Sequence, residues 1–356
     1  MLESLKYTVL YLLYMLFIDK YIPKMINESV FHKDLLDMLV KIASDDSMPN
    51  IMFYGPNGSG KKTIIRLLLE LVYSKDVNNI KNITHDIKGS GNKMNAIQIK
   101  TSDYHIVIEP NNNNFDRYLI QNIVKEYAKT NHFAFYSVEK KVKFKTVLID
   151  NIDNMSYLAQ SSLRRTMEKY SKTCRFIISC HSMSKVIDPL KSRCVCLSVP
   201  SPSDNDMFRF IAKISAKEKI RLKLEQIEVI INKANGNIKT ALLCLHLLKY
   251  GYNYSTSYDN CINNMINLML GHDINNLPEI RNIAYNIMIT NIDGTNTISR
   301  LAEICRNNKI NDVQKYHILE AFAKANHNIV RGRRDMINIE LFVVTVMKLL
   351  HENKLN

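Results

Sequence analysis

The residues best able to do chemistry lie in one stretch, Ile51-Met-Phe-Tyr-Gly-Pro-Asn-Gly-Ser-Gly-Lys-Lys-Thr63. An apolar run ends at Tyr54, a glycine-rich turn follows, and Lys61 opens a helical pattern through Ile64, Ile65, Leu67, Leu68, Leu69 and Leu71. A strand, a Gly-x-x-x-x-Gly-Lys loop and a helix in that order form a phosphate cradle. The glycines let backbone N–H groups turn inward on an anion, the helix N-terminus adds partial positive charge, and Lys61 adds a formal one. The expected nucleotide-binding set is therefore Gly55, Pro56, Asn57, Gly58, Ser59, Gly60, Lys61, Lys62 and Thr63. The bland alternative is a glycine turn before an ordinary helix. Three of the chain's ten glycines fall at 55, 58 and 60, which weighs against it.

The motif departs from pattern where a metal would bind. After the lysine, P-loops carry a Ser or Thr whose hydroxyl ligates magnesium, but position 62 is Lys. An ammonium has donors only, so Lys62 cannot coordinate a cation. Thr63 comes one residue late, about 100° further round the helix. A second strand normally delivers an Asp to the metal and then a Glu to polarise water. Val147-Leu-Ile-Asp-Asn-Ile-Asp-Asn-Met155 supplies Asp150, the candidate magnesium ligand, but follows it with Asn151. An amide orients water without accepting its proton, so the general base is missing. Nucleotide binding is expected; metal-assisted hydrolysis is not.

The rest of the chain must position these groups. Its 356 residues are enough for two or three domains, and 46% hydrophobic with 23% charged residues is a globular composition. Lys and Arg (48) outnumber Asp and Glu (34), an excess that favours polyanionic partners, nucleic acid first. The seven cysteines include no Cys-x-x-Cys pair, so buried thiols in a reducing compartment are expected. The apolar run from Tyr7 to Ile18 is too short to span a bilayer, and no membrane partner is expected. Residues 1–15 read as an N-terminal extension, with 1–14 either an extension or a misplaced initiation. Frequent Asn, Ile and Lys point to an AT-rich genome.

Periodicity predicts a helix around Leu35–Ile42, the P-loop strand and helix, and a polar insertion or loop over 75–95. Strands follow at Ile97–Lys100 and His105–Glu109, then a helix over Phe115–Tyr127. A buried strand at Phe144–Asp150 precedes an amphipathic helix at Ser156–Tyr170 and further strands at Cys174–Cys180 and Val195–Val199. Alternating strands and helices argue for a parallel α/β sheet covered on both faces. Pro200-Ser-Pro-Ser203 ends the β signal, and eight helical segments fill the remainder.

Several motifs resemble the replication factor C small subunits. Leu16-Phe-Ile-Asp-Lys-Tyr-Ile-Pro23 is similar to the family's opening, and Leu163-Arg-Arg-Thr-Met-Glu-Lys-Tyr170, Thr173-Cys-Arg-Phe176, Ser184-Lys-Val-Ile187 and Lys191-Ser-Arg-Cys194 follow in its order. Ser102-Asp-Tyr-His105 with Gly60-Lys-Lys-Thr63 resembles the last subunit of the clamp-loader arc, whose site holds nucleotide without hydrolysing it. Likeness is dense over 16–200 and thinner beyond, at Gly236–Leu242, Tyr316–Phe322 and Glu340–Phe342. The resemblance implies an AAA+ P-loop core over 16–200, a small helical lid over 201–252, and an all-helical collar over 253–356 that assembles a hetero-pentamer.

It also implies residue roles. Arg193 matches the arginine finger that reaches the nucleotide of a neighbouring subunit; the alternative is a surface arginine after the Pro189 turn. His181 stands where the family has a phosphate-sensing Asn, and either hydrogen-bonds a phosphate or water or simply packs. Lys239 falls at the lid's sensor Arg, keeping charge but losing bidentate geometry, or is a solvated helix lysine. Arg117 matches a phosphate-contacting arginine, while Arg164 and Arg165 contact DNA, bridge subunits or are solvated. Arg331-Gly-Arg-Arg334 reads as a solvated turn. ATP or ADP is the expected cofactor. A sliding clamp, primer–template DNA and other loader subunits are the expected partners, inside a nucleus or at a viral replication site. The competing function is an autonomous AAA+ ATPase, such as a helicase loader or remodelling motor, with Thr63 or Asp153 replacing the missing ligands.

Overall fold

A computed structural model describes residues 16–44, 48–73, 75–88, 94–110, 116–129, 144–252, 257–271, 274–289, 294–307, 312–332 and 335–352. The expected extension over 1–15, the asparagine run Asn111–Asn114 and the arginines at 333 and 334 lie outside them. The chain forms two compact units, Met1–Tyr252 and Asn253–Asn356.

The first unit is built on a seven-stranded sheet: β1 (Ile51–Tyr54), β2 (Lys81–Lys88), β3 (Met94–Thr101), β4 (His105–Ile108), β5 (Lys145–Ile149), β6 (Cys174–Cys180) and β7 (Val195–Ser198). Their order is β2-β3-β4-β5-β6-β1-β7. Strands β4, β5, β6, β1 and β7 run parallel, and β2–β3 is an antiparallel hairpin joined to β4. The polar loop expected over 75–95 is thus corrected: a short 3-10 turn at Lys75–Asn78 leads into an edge hairpin.

Alternate residues of the parallel strands feed two cores. Ile51, Phe53 and Ile177 meet Leu36 and Leu39 of α2 (Lys33–Ser44) and Ile64, Ile65 and Leu68 of α3 (Lys61–Tyr73). On the other face, Met52, Val147, Ile149, Phe176 and Ile178 meet a helical layer. That layer comprises α4 (Asp116–Leu119), a π turn at Ile120–Val124, α5 (Lys125–Lys129) and α6 (Tyr157–Lys169). The continuous apolar character of β1, β5 and β6 follows from burial on both faces. A short helix α7 (Asp188–Lys191) precedes β7.

Three helices complete this unit: α8 (Asp204–Glu218), α9 (Leu224–Ala234) and α10 (Ile238–Lys249). Ser203 caps α8 by accepting from the Asp206 N–H, and Asn237 caps α10 by accepting from the Lys239 and Thr240 N–H groups. Left-handed Lys219 and Asn235 end α8 and α9. The second unit packs α11 (Ser257–Leu270), α12 (Leu277–Ile289), α13 (Gly294–Asn307), α14 (Asp312–Arg331) and α15 (Asp335–Glu352) around Ile262, Met265, Ile298, Leu301, Phe342 and Val346. Among the described residues no helix is long and apolar enough to cross a membrane, and all seven cysteines are unpaired thiols.

The chain start is anchored to the three-helix segment through Glu218. Its carboxylate, 7% exposed, accepts from Lys20 Nζ, from the Tyr21 hydroxyl and from Lys249 Nζ at 2.8 Å. Lys20 ends the short helix α1 (Phe17–Lys20), and Lys249 ends α10. Burial alone would raise the Glu218 pKa, but the Lys20, Lys249 and Tyr21 hydrogen bonds outweigh it and hold it at about 2. A carboxylate depressed in the folded state stabilises above its unfolded pKa, here near 4.5, and loses that contribution as pH falls toward about 2. Glu218→Gln is expected to lower stability at neutral pH by about 1–2 kcal/mol and to flatten the pH dependence below 4.5, both read from urea unfolding across pH.

Candidate nucleotide-binding site

The site lies where the parallel strands end. Register pairs Tyr54 with Cys180 across β1–β6 and Ile149 with Ile178 across β5–β6, so the residues that follow these three strands emerge side by side. These are the P-loop after β1, Asp150 and Asn151 after β5, and His181 after β6. Open α/β sheets bind ligands in this crevice at the carboxyl ends of the strands.

The loop's glycines are required by geometry. Gly58 and Gly60 hold φ of +76° and +99°, and a Cβ on Gly58 would sit 2.0 Å from the Asn237 side-chain oxygen. A Cβ on Gly55 would meet the Val199 carbonyl at 2.0 Å. Loop and three-helix segment also touch through the backbone, with Ile238 N–H donating to the Gly58 carbonyl at 3.2 Å.

Lys61 is buried. Its ammonium donates to the carbonyls of Gly55 (2.7 Å) and Pro56 (2.8 Å) and toward His181 Nδ1 (3.3 Å). Burial lowers its pKa, and Cys180, Asp153 and Asp150 pull back in the other direction. Its three donors can exchange one partner for a phosphate oxygen, and the longest contact is to His181. The Ser59 hydroxyl is buried inside the loop with no hydrogen-bond partner among the described residues. An unpartnered buried hydroxyl, positive-φ glycines and a poised lysine fit an anion cradle.

The cavity beside the loop holds about 550 Å³, a size suited to a nucleotide. Asn57 to Thr63, Asp150, Asn151, His181 and Lys239 line it, so the structure gathers these sequence-predicted residues in one place. The chain start supplies walls that sequence reasoning did not assign: Tyr21, Ile22, Val30, Phe31 and His32, opposed by Phe210 and Leu242. Phe31 and Phe210 meet with ring centroids 4.9 Å apart and planes tilted by 53°, giving the cavity an apolar wall. His32, at φ +57°, directs Nε2 to the Ser59 carbonyl at 3.1 Å and so donates from that nitrogen. The only advance signal was the motif Leu16–Pro23, which carried family likeness but no role.

Asp150 is 5% exposed, and each of its oxygens has a partner. Oδ2 pairs with the Lys62 ammonium, and Oδ1 accepts from the Ser179 hydroxyl at 2.6 Å. Ser179 Oγ in turn accepts from the Asn151 N–H at 3.0 Å. Asn151 is left-handed, with φ +55°, a conformation asparagine tolerates better than most residues. Asp153 is committed elsewhere, accepting from the N–H groups of His181 (2.6 Å) and Ser182 (3.0 Å). The residues present do not fit a magnesium ion: the hydroxyl position is a lysine, and the acid already holds that lysine.

Arg193 does not line this cavity. It is exposed, pairs with Glu168 of α6 and donates to the Pro189 carbonyl at 2.7 Å. Arg117 is exposed on α4, Arg165 is exposed and Arg164 half-buried on α6. The two helical elements are neighbours, with Gln121 Nε2 donating to Ser162 Oγ at 3.5 Å.

Known proteins decide the family. A protein named as a replication factor C small subunit in Acanthamoeba polyphaga mimivirus is 38% identical over 96% of this chain and 93% of its own length. The chain belongs to the replication factor C small-subunit family. Replication factor C subunit 3 of Arabidopsis thaliana is 30% identical, covering 94% of this chain and 97% of its own. Subunit 5 of Saccharomyces cerevisiae is 29% identical over 93% and 98%. A family model described as DNA polymerase III, delta subunit, matches residues 31–203, the P-loop core. Asp153→Ala is expected to destabilise this core by about 1–3 kcal/mol by stranding two backbone donors, measured by urea unfolding.

Proposed function

We propose that this chain is a subunit of a replication factor C-type clamp loader that acts in DNA replication. It holds ATP or ADP in the P-loop cavity without hydrolysing it and completes the site of a neighbouring subunit through Arg193. Within a hetero-pentamer it helps open a sliding clamp at primer–template junctions. Residues 16–200 are the nucleotide-binding domain, 201–252 the lid and 253–356 the oligomerising collar. The compartment is a nucleus or a viral replication site.

The observation that carries this reading is the placement of Arg193. It lies exposed outside its own chain's cavity, which supports a role toward a neighbouring subunit's nucleotide over a role in its own site. The chain's own centre lacks a base at Asn151 and a metal ligand at Lys62. The alternative of an autonomous ATPase calls on Thr63 or Asp153 as a substitute ligand; Thr63 lines the cavity, while both Asp153 oxygens already accept backbone N–H groups. Lys239, exposed at the lid's edge of the cavity, contributes a positive charge toward bound phosphate.

For DNA, the basic side chains Arg117, Arg164 and Arg165 sit on neighbouring helices. Contacts of this kind grip phosphate, so binding is sequence-independent and salt-sensitive. Arg117→Glu is expected to weaken primer–template binding by the assembled loader on every sequence and to reduce its salt slope by about one.

The deciding experiment is Arg193→Ala in the assembled complex. Arginine fingers contribute roughly 10³–10⁵ in rate at the site they serve. Complex ATPase should fall while nucleotide binding by this chain stays unchanged; equal ATPase in mutant and wild type would refute the role.

A further inference from the structure

We propose that this nucleotide site works without a divalent cation, the Lys62 ammonium doing the electrostatic work that magnesium does in other P-loops. The inference rests on the nucleotide-site reading above and names its ligand form, a nucleoside di- or triphosphate free of metal.

In P-loop sites the cation is held between a hydroxyl after the loop lysine and an acid at the end of a neighbouring strand. Those two positions here are Lys62 and Asp150, and they bind each other directly. The acid's remaining oxygen is taken by Ser179, and its charge is met by one ammonium in a place 5% exposed to water. A divalent ion entering between them would break this pair and then face the displaced lysine as a like charge. The lysine side chain is 64% exposed and lines the cavity, so it reaches the ligand from the rim. An ammonium carries three donors; Asp150 takes one, leaving two for phosphate oxygens. Asp150 thereby changes role, from metal ligand to the anchor that aims Lys62.

The test uses the purified full chain and fluorescent ADP and ATP, titrated in excess magnesium and in excess EDTA. Wild type should bind with a Kd that changes by less than about threefold between the two. Lys62→Arg keeps the charge and should remain indifferent to metal. Lys62→Thr restores the hydroxyl and frees Asp150, so its binding should be weaker by about tenfold or more in EDTA than in magnesium. Mn²⁺ paramagnetic resonance on the wild-type ADP complex gives a second readout that needs no variant: it should show no protein-held ion. Wild-type binding that requires magnesium, or a protein-held Mn²⁺, overturns the inference and leaves the nucleotide site standing. No binding in either buffer overturns the nucleotide site, and the inference with it.

Discussion

A buried carboxylate at the end of a central strand is the constraint on which this molecule turns. Asp150 comes after a strand with neighbours on both sides, and an unanswered charge there is expensive. The surroundings answer it atom by atom. Ser179 from β6 serves one oxygen and Lys62 from α3 the other. The Asn151 backbone, turned left-handed, donates to the same Ser179 hydroxyl. The groups that depart from a hydrolytic P-loop are therefore the groups that make this acid stable. The pattern is a working local solution, and its chemistry is charge neutralisation rather than metal binding.

The second constraint is assembly of the cavity from pieces far apart in sequence. The P-loop supplies one wall, the chain start from Ile18 to His32 another, and the three-helix segment a third. The second of these has little regular structure of its own: α1 spans four residues, and the chain from it to α2 holds only a three-residue 3-10 turn. Glu218 and its three donors tie the chain start to α8 and α10, while Asn237 and Ile238 rest on the loop glycines. A ligand that touches all three pieces stabilises their contact, because anything bound only by the assembled state favours it by mass action. Nucleotide occupancy and the integrity of this unit are thus one equilibrium.

Sequence carried much of this and missed the rest for identifiable reasons. The strands at 144–150 and 174–180 were legible because burial on both faces leaves an unbroken apolar run, and the helices after 203 because their caps and periodicity agree. The hairpin Lys81–Thr101 was legible only in part, at Ile97–Lys100 of its inner strand. Its outer strand is an edge with residues 81–84 exposed, so no buried face imposes alternation on Lys81-Asn82-Ile83-Thr84. The π turn at Ile120–Val124 was equally silent, since one widened turn barely alters helical spacing. At the site, Lys62 and Asn151 were visible as departures from a motif, but their partners were not. Ser179 is an ordinary strand serine until topology puts β6 beside β5. Asp153 looked like a spare acid until the turn after β6 claimed both its oxygens.

The same logic of shared partners holds at Arg193, outside the cavity. Glu168 Oε1 pairs with Arg193 and also lies 3.9 Å from Arg164 Nε, so one carboxylate holds the proposed finger and a proposed DNA contact together. A surface ion pair of this kind carries little stability, and its value lies in where it points the arginine. On the function proposed for this chain, its contribution is one of position and charge, with hydrolysis left to whichever subunit receives Arg193.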